Sequence, residues 1–198
     1  NLPGQFSVYN ALAAISCARL LGVSLADAAA ALETAHGAKG RVEPVPTDGD
    51  YSIFIDYAVT PDAIENVLTT LRGIAPKRLV MLFGAGGDRD RKKRPIMGKL
   101  SADIADFVIV TSDNPRTEDP MSIIEEILPG VRAGKAPYKV ICDRPEAIRW
   151  AIDHHEPGDV ILLCGKGHED YQIIGHEKIH MDEREIVADY LAERAKRT

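Results

Sequence analysis

No apolar run in the sequence reaches the roughly 20 residues that a helix needs to cross a bilayer, and no signal-peptide pattern opens it. A soluble, cytoplasmic protein without a membrane partner is the expectation. Cysteine is scarce. Cys17, Cys142 and Cys164 form an odd, scattered set of three inside apolar runs, which argues against a disulfide framework or a thiolate metal cage and predicts buried, reduced thiols. An excess of positive charge is missing too. With 24 Lys and Arg against 30 Asp and Glu, the formal net charge is -6, so no nucleic acid is expected as a partner and any anion site has to be local. There is no internal repeat, no low-complexity segment and no Walker-type phosphate loop.

What is present is a 198-residue chain that is 45% hydrophobic, a size at which about 70% of the unfolded surface is buried on folding. That supports one good core and a small appendage. Residues 7–21 are alanine-rich, with Val8, Leu12, Ile15 and Leu20 at helical spacing and Gly22 as a stop; Ser24 caps a second helix running towards Gly37. The segment "GAKGRVEPVPTDGDY" is rich in Gly, Pro and charge, and it reads as a boundary between residues 37 and 50.

After it the rhythm changes. Five apolar runs, "YSIFIDYA", "RLVMLFG", "DFVIVTS", "YKVICD" and "DVILLCG", alternate with helical segments. Thr60 with Pro61 and Asp119 with Pro120 open two of those helices, and Ile64, Val67, Leu68 and Leu71 share one face. Continuous apolar strands between helices imply strands buried on both sides. "YQIIGHEKIHM" reads as a hairpin, and Asp182 with Glu185 as a capping box for the last helix. The predicted fold is α/β: a Rossmann-like, mostly parallel sheet with helices on both faces and a C-terminal antiparallel hairpin, preceded by a short helical segment.

In such sheets ligands sit beyond the carboxyl ends of the strands, where loops and helix N-termini converge. Three of those loops are unusual. "GAGGDRDRKKRP" combines glycines with Arg89, Arg91, Lys92, Lys93 and Arg94; its alternative is a solvated charged face. In "SDNPRTEDP", Pro115 keeps Asn114 extended and turns its amide outward, and Arg116 supplies a fork matched to a carboxylate. An ordinary Asn-Pro turn with Asp113 paired to Arg116 is the alternative. "GKGHED" offers Lys166, His168 and Glu169 between glycines, with Lys166 a candidate for phosphate and Glu169 for an ammonium group, or else merely connects strands. Together the loops complement a zwitterion carrying an extra carboxylate, which points to an amino-acid-like ligand. His154 and His155 read as structural groups at a helix end, and His176 with His180 lacks a third metal ligand, so no zinc site is predicted.

The motifs "DYAVTPDAIENVL", "FGAGGDRDRKKRPIMG", "TSDNPRTEDP" and "GKGHEDYQII" resemble, in this order and over essentially the whole chain, the Mur ligases of peptidoglycan synthesis, in the branch that adds meso-diaminopimelate. That resemblance implies a three-domain, ATP-dependent enzyme, of which residues 1–45 are the last helices of the central ATP-binding domain and residues 46–198 the C-terminal amino-acid-binding domain. The expected chemistry is amide formation. ATP with Mg2+ converts the glutamyl carboxylate of UDP-N-acetylmuramoyl-L-alanyl-D-glutamate to an acyl phosphate, and the amine of meso-diaminopimelate displaces phosphate. Most determinants for ATP and magnesium are expected outside this chain, which alone is expected to be inactive, and the enzyme is expected to be monomeric.

By resemblance Arg89, Asp113, Asn114, Pro115, Arg116, Gly165 and Glu169 hold diaminopimelate, while Asn10, Arg41 and Asp56 meet ATP at adenine, phosphate, and ribose or hinge. No catalytic residue and no metal ligand are assigned within the chain. Val59 stands where the family usually has His, and Ser7 where it has Asn. The alternatives are a lysine-adding, folate-type or cyanophycin-type ligase, and a non-catalytic Rossmann-type binding module.

Overall fold

The computed structural model describes residues 4–75 and 77–197. Residues 1–3, 76 and 198, which fall inside the two expected domains, lie outside the described residues. The chain divides into two compact units, residues 1–38 and 39–198.

The first unit holds α1 (Gln5–Leu20) and α2 (Leu25–Glu33). Gly22 turns the chain at φ 89°, and the Ser24 hydroxyl caps α2 by accepting from Asp27 N at 3.0 Å. α2 stops well short of Gly37. Cys17 is exposed on α1, contrary to the buried thiol its apolar neighbours predict, and Val8, Leu12 and Leu20 on the same helix are exposed as well.

The second unit begins with β1 (Glu43–Val45), an edge strand inside the segment read as a boundary. It pairs antiparallel with β2 (Tyr51–Asp56), so the unit starts ahead of the expected break at 45/46. A three-residue strand containing Pro44 has no local signal; Pro is tolerated there because the strand is at the edge. Then follow α3 (Pro61–Arg72), β3 (Leu79–Phe83), α4 (Lys93–Ile104), β4 (Phe107–Val110), α5 (Pro120–Arg132), β5 (Tyr138–Val140), α6 (Arg144–Asp153), β6 (Asp159–Cys164), the hairpin β7 (Tyr171–Ile174) and β8 (Glu177–His180), and α7 (Glu183–Ala195).

The sheet order is β1-β2-β6-β3-β4-β5, parallel throughout except for β1. Alternate residues of each strand feed two cores. Leu79, Met81 and Phe83 face the side covered by α3, α4 and α5, where Ile64, Leu68, Met97 and Ile124 are buried. Val80 and Leu82 face the other side, against Ile148 and Ile152 of α6 and Val187 of α7. Burial on both faces explains why these strands are uninterrupted apolar runs. Helix α3 starts as its sequence dictates, with Thr60 Oγ1 accepting from Ala63 N and Pro61 in the first turn.

The end of the chain departs from expectation in one detail. Asp182 caps α7 by accepting from Arg184 N at 2.9 Å, and Glu185 pairs with His180 Nε2 at 2.6 Å instead of closing a capping box. His154 stacks on Trp150 and His155 on Tyr51, which agrees with their reading as structural groups.

Candidate functional site

Strand register sets the site. Asp56 pairs with Cys164, Cys164 with Phe83, and Phe83 with Val110, so four parallel strands end in one row. The loops that leave them carry the chemistry-bearing residues and enclose a cavity of about 310 Å³. Arg89, Asp113, Asn114, Arg116, Gly165 and Glu169 all line it. Pro115 does not line it, but its carbonyl supports the wall: a Cβ on Gly87 would stand 1.8 Å from Pro115 O, so only glycine lets these two backbones meet. Gly87 N then donates to Asn114 O at 2.9 Å, and Arg116 Nη1 donates to Gly87 O at 2.9 Å.

Arg116 sits at φ 52°, a conformation that costs a non-glycine residue on the order of 1 kcal/mol. Its backbone is clamped there by the hairpin: Arg116 N donates to Ile173 O at 3.0 Å, and Gly175 N donates to Arg116 O at 2.7 Å. The guanidinium is partly exposed in the cavity wall, and no Asp113 pair forms. Asp113 is buried, with Oδ1 accepting from Asn114 N at 2.7 Å, while Oδ2 has no hydrogen-bond partner. Gly165, at φ 114°, makes room for that oxygen, since a Cβ there would come within 2.6 Å of it.

Asn114 corrects an expectation. Its amide does not turn outward; the residue is 3% exposed, its Oδ1 accepts from Lys166 Nζ at 2.6 Å and from Ile173 N at 2.9 Å, and its Nδ2 donates to Glu169 Oε2 at 2.9 Å. Glu169 also accepts from Lys166 Nζ at 3.1 Å and from the Tyr57 hydroxyl at 3.4 Å. Lys166 is itself buried, and that burial pushes its pKa below the usual lysine range, against the pull of Asp113 and Glu169. Burial and the Glu169 carboxylate raise the Tyr57 phenol, so it remains a donor. Tyr57 was not anticipated, although its place directly after β2 in "DYAVTP" was the available signal.

The charged first loop is only partly a solvated face. Arg89 is exposed at the cavity. Arg94, by contrast, is 1% exposed; it donates to both Glu118 oxygens at 2.8 Å, to Glu126 Oε2 at 2.7 Å and to Gly86 O at 3.1 Å. Arg91 pairs with Glu126 as well. The Arg94 guanidinium, with Asp88 N–H, holds Glu118 down from the usual 4.5 to about 2. A carboxylate with a lowered folded pKa adds stability above its unfolded value and loses it as pH falls through the folded one. Urea titrations between pH 4.5 and 2 should therefore show a steeper stability loss in the unsubstituted protein than in Glu118→Gln. Parallel slopes would contradict it.

Of the residues assigned to ATP, neither Arg41 nor Asp56 lines this cavity, although both adjoin Tyr57, which does. Asp56 is buried, and its carboxylate accepts from Val42 N at 2.9 Å and Ala58 N at 2.8 Å, fixing the backbone beside Arg41. Desolvation raises its pKa. Exposed Arg41 stands 5.2 Å from the Tyr57 ring centroid, and Asn10 is exposed on α1 in the other unit. Among the described residues no three of His, Cys, Asp or Glu gather as a metal set, and no helix is long and apolar enough to cross a membrane.

A mostly parallel sheet with helices on both faces and a charged crevice across its strand ends defines an α/β domain of the doubly wound class. Residues 40–167 match the family model described as Mur ligase, glutamate ligase domain. The chain belongs to the Mur ligase family. It is 53% identical over 195 residues to the UDP-N-acetylmuramoyl-L-alanyl-D-glutamate--2,6-diaminopimelate ligase of Caldanaerobacter subterraneus subsp. tengcongensis, covering 98% of this chain and 40% of that protein. Identity to the ligase of the same description from Trichormus variabilis is 50% over 197 residues, with the same two shares. A solved structure of a ligase of that description superposes with a TM-score of 0.77 at 38% identity, over 98% of this chain and 40% of the other. The UDP-N-acetylmuramate-alanine ligase from Thermotoga maritima gives 0.69 at 25% identity, over 99% and 39%. The chain thus spans about 40% of the length of the curated relatives it matches.

Proposed function

We propose that this chain is the amino-acid-binding portion of an ATP-dependent ligase that joins meso-diaminopimelate to UDP-N-acetylmuramoyl-L-alanyl-D-glutamate in the cytoplasm during peptidoglycan synthesis. The observation that carries this reading is the convergence of Arg89, Arg116, Asp113 and Glu169 on one cavity of about 310 Å³. Two guanidinium groups suit two carboxylates, and the free Asp113 oxygen with Glu169 suits ammonium groups. Asn114, Pro115 and Gly165 shape the wall. In this reading the helical unit, residues 1–38, derives from the central domain, and the exposed Val8, Leu12 and Leu20 are a helix face that the rest of such a domain covers.

The contribution of these residues to the reaction is positional: they hold the amino acid and aim its amine, which replaces a bimolecular encounter with an oriented one. ATP supplies the phosphoryl group that activates the glutamyl carboxylate. Arg41 fits a phosphate, being an exposed cation whose backbone neighbour is fixed by Asp56, and Asn10 would meet the adenine. Magnesium finds no ready set of ligands among the described residues, so its coordination falls to the remainder of the enzyme and to the nucleotide. The active species is taken to be a monomer.

The test uses full-length enzyme with ATP, magnesium and the UDP-linked dipeptide. Phosphate release should depend on meso-diaminopimelate and respond weakly or not at all to lysine, which lacks the second carboxylate. Equal response to lysine would replace this reading with a lysine-adding ligase. No response to any amino acid would favour a binding module.

A further inference from the structure

We infer that Lys166 is a positioning residue for the amino-acid site: its ammonium fixes which way the Asn114 amide points and holds Glu169 against it. The inference rests on the amino-acid-binding reading above and deepens it. Lys166 is flanked by Gly165 at φ 114° and Gly167 at φ 51°, left-handed positions that turn the loop sharply and drive the side chain inward. There it is completely buried, with Nζ 2.6 Å from Asn114 Oδ1, 3.1 Å from Glu169 Oε2 and 5.5 Å from the Tyr171 ring centroid.

An amide has two possible orientations, and the local donors select one. Asn114 Oδ1 faces two donors, Lys166 Nζ and Ile173 N. A flipped amide would set its NH2 against both donors and its oxygen against the Glu169 carboxylate, leaving the buried ammonium with Glu169 alone, which is more costly than the loss of one neutral hydrogen bond. With Oδ1 so fixed, Nδ2 gives one N–H to Glu169 and keeps its second for an occupant of the cavity that Asn114 lines. The same ammonium offsets the Glu169 charge, so the carboxylate stays in place without an occupant. Lys166 does not line the cavity, and its effect on ligand binding passes through Asn114 and Glu169.

The test compares Lys166→Met, Asn114→Ala and the double variant in full-length enzyme. Lys166→Met should raise KM for meso-diaminopimelate about tenfold or more while KM for ATP and for the UDP-linked dipeptide is unchanged. The rise in the double variant should be smaller than the product of the two single rises, because the effect of Lys166 passes in part through Asn114. Lys166→Gln, which keeps a neutral donor near Asn114 Oδ1, should recover part of the loss, and it takes over the test should the Met variant not fold. Additive effects, equal rises for all three substrates, or an unchanged KM for diaminopimelate would overturn the inference with the functional reading intact. An unsubstituted enzyme that shows no turnover with diaminopimelate would overturn both.

Discussion

Arg144→Met is expected to lower the unfolding free energy by about 3 to 5 kcal/mol, moving the urea midpoint down without changing the slope. Arg144 opens α6 and Glu183 opens α7, and both side chains are 0% exposed. Arg144 Nε donates to Glu183 Oε1 at 2.8 Å, Nη2 to Cys164 O at 2.8 Å and Nη1 to Ser112 O at 3.4 Å. Truncation strands a buried carboxylate, one oxygen of which already lacks a partner. It also releases the carbonyls that immediately precede Asp113 and Gly165. A domain stability of about 5 to 15 kcal/mol leaves little reserve against such a loss. The double variant Arg144→Met with Glu183→Leu should regain most of it, since replacing both members of a buried pair by apolar groups is often neutral. A single variant as stable as the unsubstituted protein would mean that the pair contributes no more than an exposed one.

The second large effect is on ligand recognition. In the full-length ligase of the proposed function, Arg116→Ala should raise KM for meso-diaminopimelate by about 10- to 150-fold, which corresponds to about 1.5 to 3 kcal/mol from charge-assisted hydrogen bonds. Arg116→Lys should recover little of it, because an ammonium cannot reproduce two parallel donors. KM for ATP should change far less, since Arg41 is not among the residues that line the cavity with Arg116. The strained backbone at Arg116 is held by Ile173 and Gly175, so these changes should leave the loop in place and thermal stability near that of the unsubstituted protein. A KM that stays within experimental error would remove Arg116 from the site.

Much of this protein was legible in the sequence because the governing interactions are short in range. Thr60 with Pro61, Asp119 with Pro120 and the spacing of Ile64, Leu68 and Leu71 need only their own helices to act. The five apolar runs became the five parallel strands; β3, β4 and β6 are covered on both faces and so leave no alternation to misread. The convergence of Arg89, Arg116 and Glu169 followed from strand ends alone, and the cavity lining agrees with it. β1 was missed because its only support is pairing with β2, and the cysteine expectation erred at Cys17 because an apolar neighbourhood in sequence is not burial in space.

By itself, the order of residues determined the alternation of strand and helix, the caps, and which loops would carry charge to one edge of the sheet. Only the tertiary structure decided where each charge went. Arg94, Arg144 and Lys166 look like surface cations in sequence, yet each is buried because a partner from another element meets it: Glu118, Glu183 and Asn114, at separations of 24, 39 and 52 residues. A charge leaves water only where such a partner offsets its desolvation, and no local pattern records a partner that distant.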